Sequence, residues 1–182
     1  MKNVYLIRHG LPDFPGGERM CLGTTDLPLG QEGLAQAAEM AANLPQVSAV
    51  FSSSLKRAIQ TAEAIGIPVT VIDDLREMYA GEWEGLTFSQ IRQRYPALYA
   101  ARGADRTLPL PGAEDPAEGL VRFRRAMEQA ACQADGDLAV VAHGGIAAWF
   151  LENISGRWYK PDYAQIIPLI YTNGQFRLQE EI

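Results

Sequence analysis

The chain has 182 residues, 47% apolar and 21% charged, enough for one domain with a full core and unlike a disordered segment. Its 16 basic and 22 acidic side chains give a net charge of −6 with no basic run, which argues against nucleic acid or a membrane surface as partner. No apolar stretch reaches bilayer length, and the short run after Lys2 is no signal peptide because Arg8 interrupts it. Cys21 and Cys132 stand far apart in no paired motif, the pattern of a reduced, cytoplasmic protein.

Lys2–His9 reads as a first strand, and "GERMCLGTTDLPLG" after it is loop-like. From Gln31 to Leu44, Leu34, Ala37, Ala38, Ala41 and Leu44 fall at helical spacing. Ala49–Ser53 predicts a second strand, and Ser53 or Ser54 then offers an N-cap for a helix with Leu55, Ala58, Ile59, Ala62 and Ile65 on its apolar face. Pro68–Ile72 is a third strand. Tyr79–Glu118, rich in glycine, proline and aromatics, has the texture of an insertion or cap. A long helix follows over Glu118–Ala134, then a fourth strand, "LAVVAH", and a helix, "GIAAWFLENI". "AQIIPLIY" and "QFRL" around "TNG" predict a hairpin turned by Asn173-Gly174. Alternating strands and helices predict a single α/β domain over 1–182, a three-layer sandwich with a largely parallel central sheet flanked by helices.

The only two histidines, His9 and His143, each end an apolar strand and each precede a glycine. In open α/β sheets ligands bind beyond the carboxyl ends of strands, near helix N-termini, so both are expected in one site. Arg8 leaves the first strand directly before His9, and Arg57, placed off the apolar face of its helix, lies near that helix's N-terminus. Two guanidiniums and two imidazoles suit a dianionic phosphoryl group. Other phosphate chemistries lack their motifs. There is no G-x-x-x-x-G-K, no C-x5-R and no G-x-S-x-G, and Leu75 stands where a D-x-D pair would need its second aspartate. No ligand cluster calls for a metal. A neutral imidazole held through one nitrogen by a backbone carbonyl can attack phosphorus with the other. Breaking an ester also needs an acid for the leaving oxygen, and composition leaves Asp73, Asp74, Glu77, Glu82 and Glu84 open.

Read in order, "LIRHG", "GTTDLPLGQEGLAQA", "FSSSLKRAIQTA", "LREMYAGEWEG", "LPGAEDPAEGLVRF" and "VVAHGG" resemble the histidine phosphatase superfamily, in its phosphoglycerate-mutase-like branch. The resemblance implies a metal-independent phosphatase with that fold and no cofactor, acting on a small phosphorylated metabolite. It implies His9 as phosphate acceptor, with Arg8, Arg57 and His143 gripping the phosphoryl oxygens and Gly23 and Gly144 approaching through backbone. It also selects Glu77 as proton donor and leaves Glu82 and Glu84 structural or on the rim. The chain departs from the pattern at Leu11 and Pro12, where a glutamate and a serine or threonine are usual. Pro15 falls at a phosphate-binding asparagine, and Ala113 replaces a common glycine. Family mutases carry a larger insertion than 79–118, so the resemblance favours hydrolysis. Relatives acting on α-ribazole phosphate have similar length and loops resembling "CLGTTDLPL". The rival from another class is a non-catalytic phosphate sensor. Tyr79, Trp83, Phe88 and Trp158 are the candidates for an aromatic substrate wall, with core packing the commoner role for most such residues.

Overall fold

A computed structural model of the protein describes residues 1–180. Six strands form one sheet: β1 (Lys2–Arg8), β2 (Ala49–Ser52), β3 (Val69–Val71), β4 (Leu138–Ala142), β5 (Ile166–Thr172) and β6 (Gln175–Leu178), in the order β3-β2-β4-β1-β5-β6. β1, β2, β3 and β4 pair in parallel, while β5 runs antiparallel to both β1 and β6. The expected hairpin is therefore part of the main sheet. Asn173 and Gly174 both have positive φ, as a two-residue turn between twisted strands requires.

Side chains alternate across this sheet and build a core on each face. Val4 and Leu6 of β1 and Leu138, Val140 and Ala142 of β4 face α5 (Pro116–Gln133) and α6 (Gly144–Ser155). Ile7, Ala139 and Val141 face the other way, toward α1 (Gln31–Asn43) and α2 (Lys56–Glu63). The result is the expected three-layer α/β architecture. α3 (Phe88–Arg94) and α4 (Pro96–Ala104) lie in the Tyr79–Glu118 stretch, with a capping box between Thr87 and Gln90 opening α3.

Several local expectations shift. The buried stripe of α1 is Gly33, Ala37 and Met40, which leaves Leu34 exposed. No serine caps α2: Leu55 holds the cap position, and the Asp26 carboxylate accepts the Lys56 N–H at 2.7 Å from the preceding loop. Arg57 does not lie off the packed face. It is fully buried beside Ala58, Thr61 and Ala62, so α2 turns a polar edge inward. α5 begins two residues early because Asp115 accepts N–H bonds from Ala117 and Glu118 and Pro116 fits the first turn.

Phe150 is fully buried, its ring 5.4 Å from Phe123 and 5.5 Å from Phe176. Phe150→Ala is expected to destabilise the fold by about 3–5 kcal/mol through lost transfer energy and a residual cavity. Urea unfolding followed by circular dichroism measures it.

Candidate active site

β1 and β4 end at the same level. Arg8 pairs with Ala142, and the His9 N–H donates to the Ala142 carbonyl at 3.0 Å. The next residue of each strand is a histidine, and the two imidazole centroids stand 5.1 Å apart. Beneath His9 the backbone is packed too tightly for a side chain. A Cβ on Gly10 would lie 2.5 Å from the Gly33 carbonyl oxygen, and the Gly10 N–H donates to Thr61 Oγ1 at 3.0 Å.

The His9 tautomer follows from its partners. Nδ1 lies 2.7 Å from the Gly10 carbonyl, which can only accept, so Nδ1 carries the proton. Nε2 is then the lone-pair nitrogen, and Arg57 Nε donates to it at 3.3 Å. Burial first, and then the charge of Arg57, hold the His9 imidazole well below the ordinary histidine range. His143 is depressed in the same way, by burial and then by Arg57. Both rings are neutral near pH 7. His143 Nε2 lies 2.6 Å from Ser53 Oγ, which also accepts the Leu55 N–H at 3.3 Å. Among the described residues His143 Nδ1 is buried without a partner.

Arg57 is held by backbone. Nη1 donates to the Thr25 carbonyl at 2.7 Å and Nη2 to the Gly23 carbonyl at 2.8 Å. That loop is braced in turn by Glu84, whose carboxylate accepts the N–H groups of Gly23, Thr25 and Ala80 at 2.7–3.0 Å. Burial works against the Glu84 charge, but these bonds outweigh it and hold the carboxyl below its usual range. Gly23 thus serves the site through its carbonyl, and its N–H is committed to Glu84. Arg8 Nη1 donates to the Pro161 carbonyl at 2.8 Å, its guanidinium lies 3.8 Å above the Tyr163 ring, and its buried Nε has no partner among the described residues.

Glu77 sits at the start of α6. Its two oxygens accept the N–H groups of Gly145 at 2.7 Å and Ile146 at 2.8 Å, and Oε1 also accepts the Met78 N–H at 2.9 Å. A Cβ on Gly145 would stand 2.9 Å from that carboxylate. A cavity of about 360 Å³ opens over these groups, lined at its base by Arg8, His9, Glu77, Gly144 and Gly145. His143 and Arg57 lie fully buried alongside it.

Of the four expected aromatics, Tyr79, Phe88 and Trp158 line the cavity. Trp83 is buried instead, packed against Tyr95 and Tyr99, and Trp149 joins the wall edge-to-face with Trp158 at 5.3 Å. Asp73 and Asp74 pair with Arg76. Lys160 and Tyr163 were not legible as site residues, since each lies on a segment without periodicity or motif, and Ser53 was read as a helix cap. Cys21 lines the cavity, and burial pushes its thiol up to about 12, so it is inert at neutral pH. Among the described residues no group of three or more histidine, cysteine, aspartate or glutamate side chains could hold a metal ion, and no helix is long and apolar enough to cross a membrane.

The family model of the histidine phosphatase superfamily, branch 1, matches residues 4–180. The chain is 31% identical over 154 residues to phosphoglycerate mutase-like protein 4 of Arabidopsis thaliana, covering 79% of this chain and 66% of that protein. It is 33% identical over 162 residues to glucosyl-3-phosphoglycerate phosphatase of Mycobacterium tuberculosis, covering 81% and 72%. The structure of a mycobacterial glucosyl-3-phosphoglycerate phosphatase with VO3 superposes with a TM-score of 0.86 over 98% of both chains, at 28% identity.

With only two histidines, a long-range ¹H–¹⁵N spectrum reports both rings, and the spectrum of His9→Ala assigns them. A depressed imidazole pKa means that protonation, and loss of the neutral form, begins only well below the reference of about 6.5. At pH 6 both rings are expected neutral, with His9 protonated on Nδ1. An imidazolium signal from either at that pH contradicts the burial and charge argument.

Proposed function

The chain belongs to the histidine phosphatase superfamily, branch 1, and on that premise we propose that it hydrolyses phosphomonoesters of small metabolites through a phosphohistidine on His9. The observation that carries this reading is the His9 Nε2 lone pair at the base of the cavity, with Arg57 on it and Glu77 in the same lining. Nε2 attacks phosphorus, the P–O bond to the alcohol breaks, and Glu77 gives the leaving oxygen its proton. The Gly10 carbonyl on Nδ1–H stabilises the positive charge that the ring gains on phosphorylation. Water then attacks phosphorus in line with the P–N bond, Glu77 takes the proton back, and inorganic phosphate leaves neutral His9 behind.

Charge on the transferring group is spread over cations already in place. Arg8 carries an unspent Nε–H, Arg57 has N–H groups beyond the three it uses, and α6 turns its N-terminus to the site at Gly144. Ser53 can donate to His143 Nε2 while accepting from Leu55, which leaves the buried Nδ1 as an N–H donor for a phosphoryl oxygen. Hydrolysis is favoured over mutase chemistry because the Tyr79–Glu118 stretch carries only the short helices α3 and α4, leaving water a route to the phosphohistidine. A cytoplasmic setting is part of the same reading, supported by two free cysteines.

Single-turnover labelling with a phosphodonor is expected to leave an acid-labile, base-stable phosphate on the native protein and none on His9→Ala. Phosphate on the variant, or turnover equal to the parent, rejects the nucleophile. Glu77→Gln is expected to lose about 10²–10⁴-fold in kcat on alkyl phosphates. The loss on aryl phosphates, whose leaving groups need little protonation, is expected to stay within about tenfold. Equal losses on both substrate types remove Glu77 from the acid role.

A further inference from the structure

The cavity mouth holds more positive charge than one phosphoryl group requires. Its acidic residues are already engaged: Glu77 by the start of α6, Glu114 by Arg122 at 2.8 Å, and Asp115 by the start of α5. Arg106 pairs with Glu152 and stacks over Trp158 at 4.1 Å. Of the other cations of the lining, Arg102 faces the Trp83 ring at 5.8 Å, and Arg19 and Lys160 have no carboxylate within ion-pair distance and no side-chain hydrogen bond among the described residues.

Both are gathered around Arg8. Lys160 Cε lies 3.1 Å from the point where a Cβ on Gly144 would stand, and Arg8 Nε and Cζ lie 2.8 and 2.9 Å from the same point. Arg8 covers the Tyr163 ring at 3.8 Å, and Arg19 faces that ring at 5.8 Å. Crowding like charges in a partly desolvated cleft is unfavourable unless an anion offsets it. Burial first, and then Arg8, push the Lys160 ammonium below the usual lysine range, with Arg19 acting in the same direction and Glu77 against it. A protein of net charge −6 keeps these charges together with no carboxylate ion-paired to Arg19 or Lys160 among the described residues.

The nucleophile Nε2 is met by Arg57, deep beside the cavity floor, whereas Arg19 and Lys160 come from the loops before α1 and after α6 and stand around Arg8. We propose that Arg19 and Lys160 form a second anion subsite, and that the preferred substrates are phosphomonoesters whose alcohol carries a further anionic group, a carboxylate or a second phosphate. This rests on the hydrolase reading and narrows it: neutral sugar, polyol and α-ribazole phosphates become poor substrates.

Three probes of similar size test it: glycerol 1-phosphate, 3-phosphoglycerate and 1,3-propanediol bisphosphate. For the native protein, kcat/KM is expected to favour at least one of the two anionic probes over glycerol 1-phosphate by about tenfold or more, as close charge pairs in a cleft allow. Which one is favoured tells carboxylate from phosphate. In Arg19→Gln/Lys160→Met the preference should shrink to about twofold and lose its salt dependence. Equal rates on all three probes, or a preference surviving the double substitution, overturn the subsite. Calorimetric Kd values for the same probes on the His9→Ala protein, compared with and without the double substitution, decide the point independently of turnover. If no ester is hydrolysed but the anionic probes bind about tenfold tighter through Arg19 and Lys160, the subsite stands and the hydrolase reading falls. Equal binding of all three rejects the subsite.

Discussion

β1 and β4 lie side by side in parallel with Arg8 opposite Ala142, and both strands leave the sheet one residue later, at His9 and His143. Parallel pairing brings two strand ends 134 residues apart in sequence to one level, which fixes the 5.1 Å between the imidazoles. Register is pinned by the core. Ile7 packs with Ala139 and Val141 on one face while Leu6 packs with Leu138 and Val140 on the other, so a slip of one residue would exchange the two sets between cores shaped for different side chains. Helices on both faces leave the strand ends as the place where backbone and polar side chains can meet a ligand.

The site is kept electrostatically unsatisfied on purpose of its chemistry. Arg57 is fully buried, yet its described bonds go to two carbonyls and an imidazole, with no carboxylate among them. Carbonyl dipoles orient a guanidinium without cancelling its charge, so an arriving phosphoryl group recovers attraction that a resident carboxylate would have spent. Burial first, and then the same charge, keep His9 and His143 neutral. In the proposed reaction one buried cation thereby both grips the anion and helps preserve the lone pair that attacks it. Glu84 supports this at one remove: by accepting N–H bonds from Gly23 and Thr25 it sets the loop whose carbonyls hold Arg57.

Most of the framework was legible because strand and helix periodicities are strong in β1, β4, α5 and α6, and because both histidines end apolar strands. The misreadings share a cause. Arg57 was placed off the packed face since an apolar stripe is the only inward signal that periodicity offers, and an inward arginine breaks it. The capping serines of α2 were displaced by Asp26, a residue 30 positions earlier that only the tertiary fold brings to the helix start. Ser53 instead faces His143. Gly23 was expected to approach phosphate through backbone, and nothing local reveals that Glu84 takes its N–H. Trp83 was left between substrate wall and core packing because an aromatic in a glycine-rich stretch gives no clue to whether a helix such as α4 will cover it.

The departures at Leu11, Pro12 and Pro15 take on meaning beside Arg19 and Lys160. Pro12 turns apolar surface toward the cavity where the resemblance would place a serine or threonine, and Phe14 adds to it, so the first polar side chain with a positive charge on this loop at the cavity is Arg19. Positive charge comes from farther along it and from the segment after α6, where Lys160 and Tyr163 stand beside Arg8. The floor is made by strand ends and helix starts, whose geometry cannot change without disturbing the sheet. The rim is made by loops that can exchange side chains freely. Reaction and substrate choice therefore lie on mechanically separate parts of the molecule. A change of rim charge can retune which ester is accepted while the Nε2 lone pair, its arginine and the carboxylate at the start of α6 stay where the fold puts them.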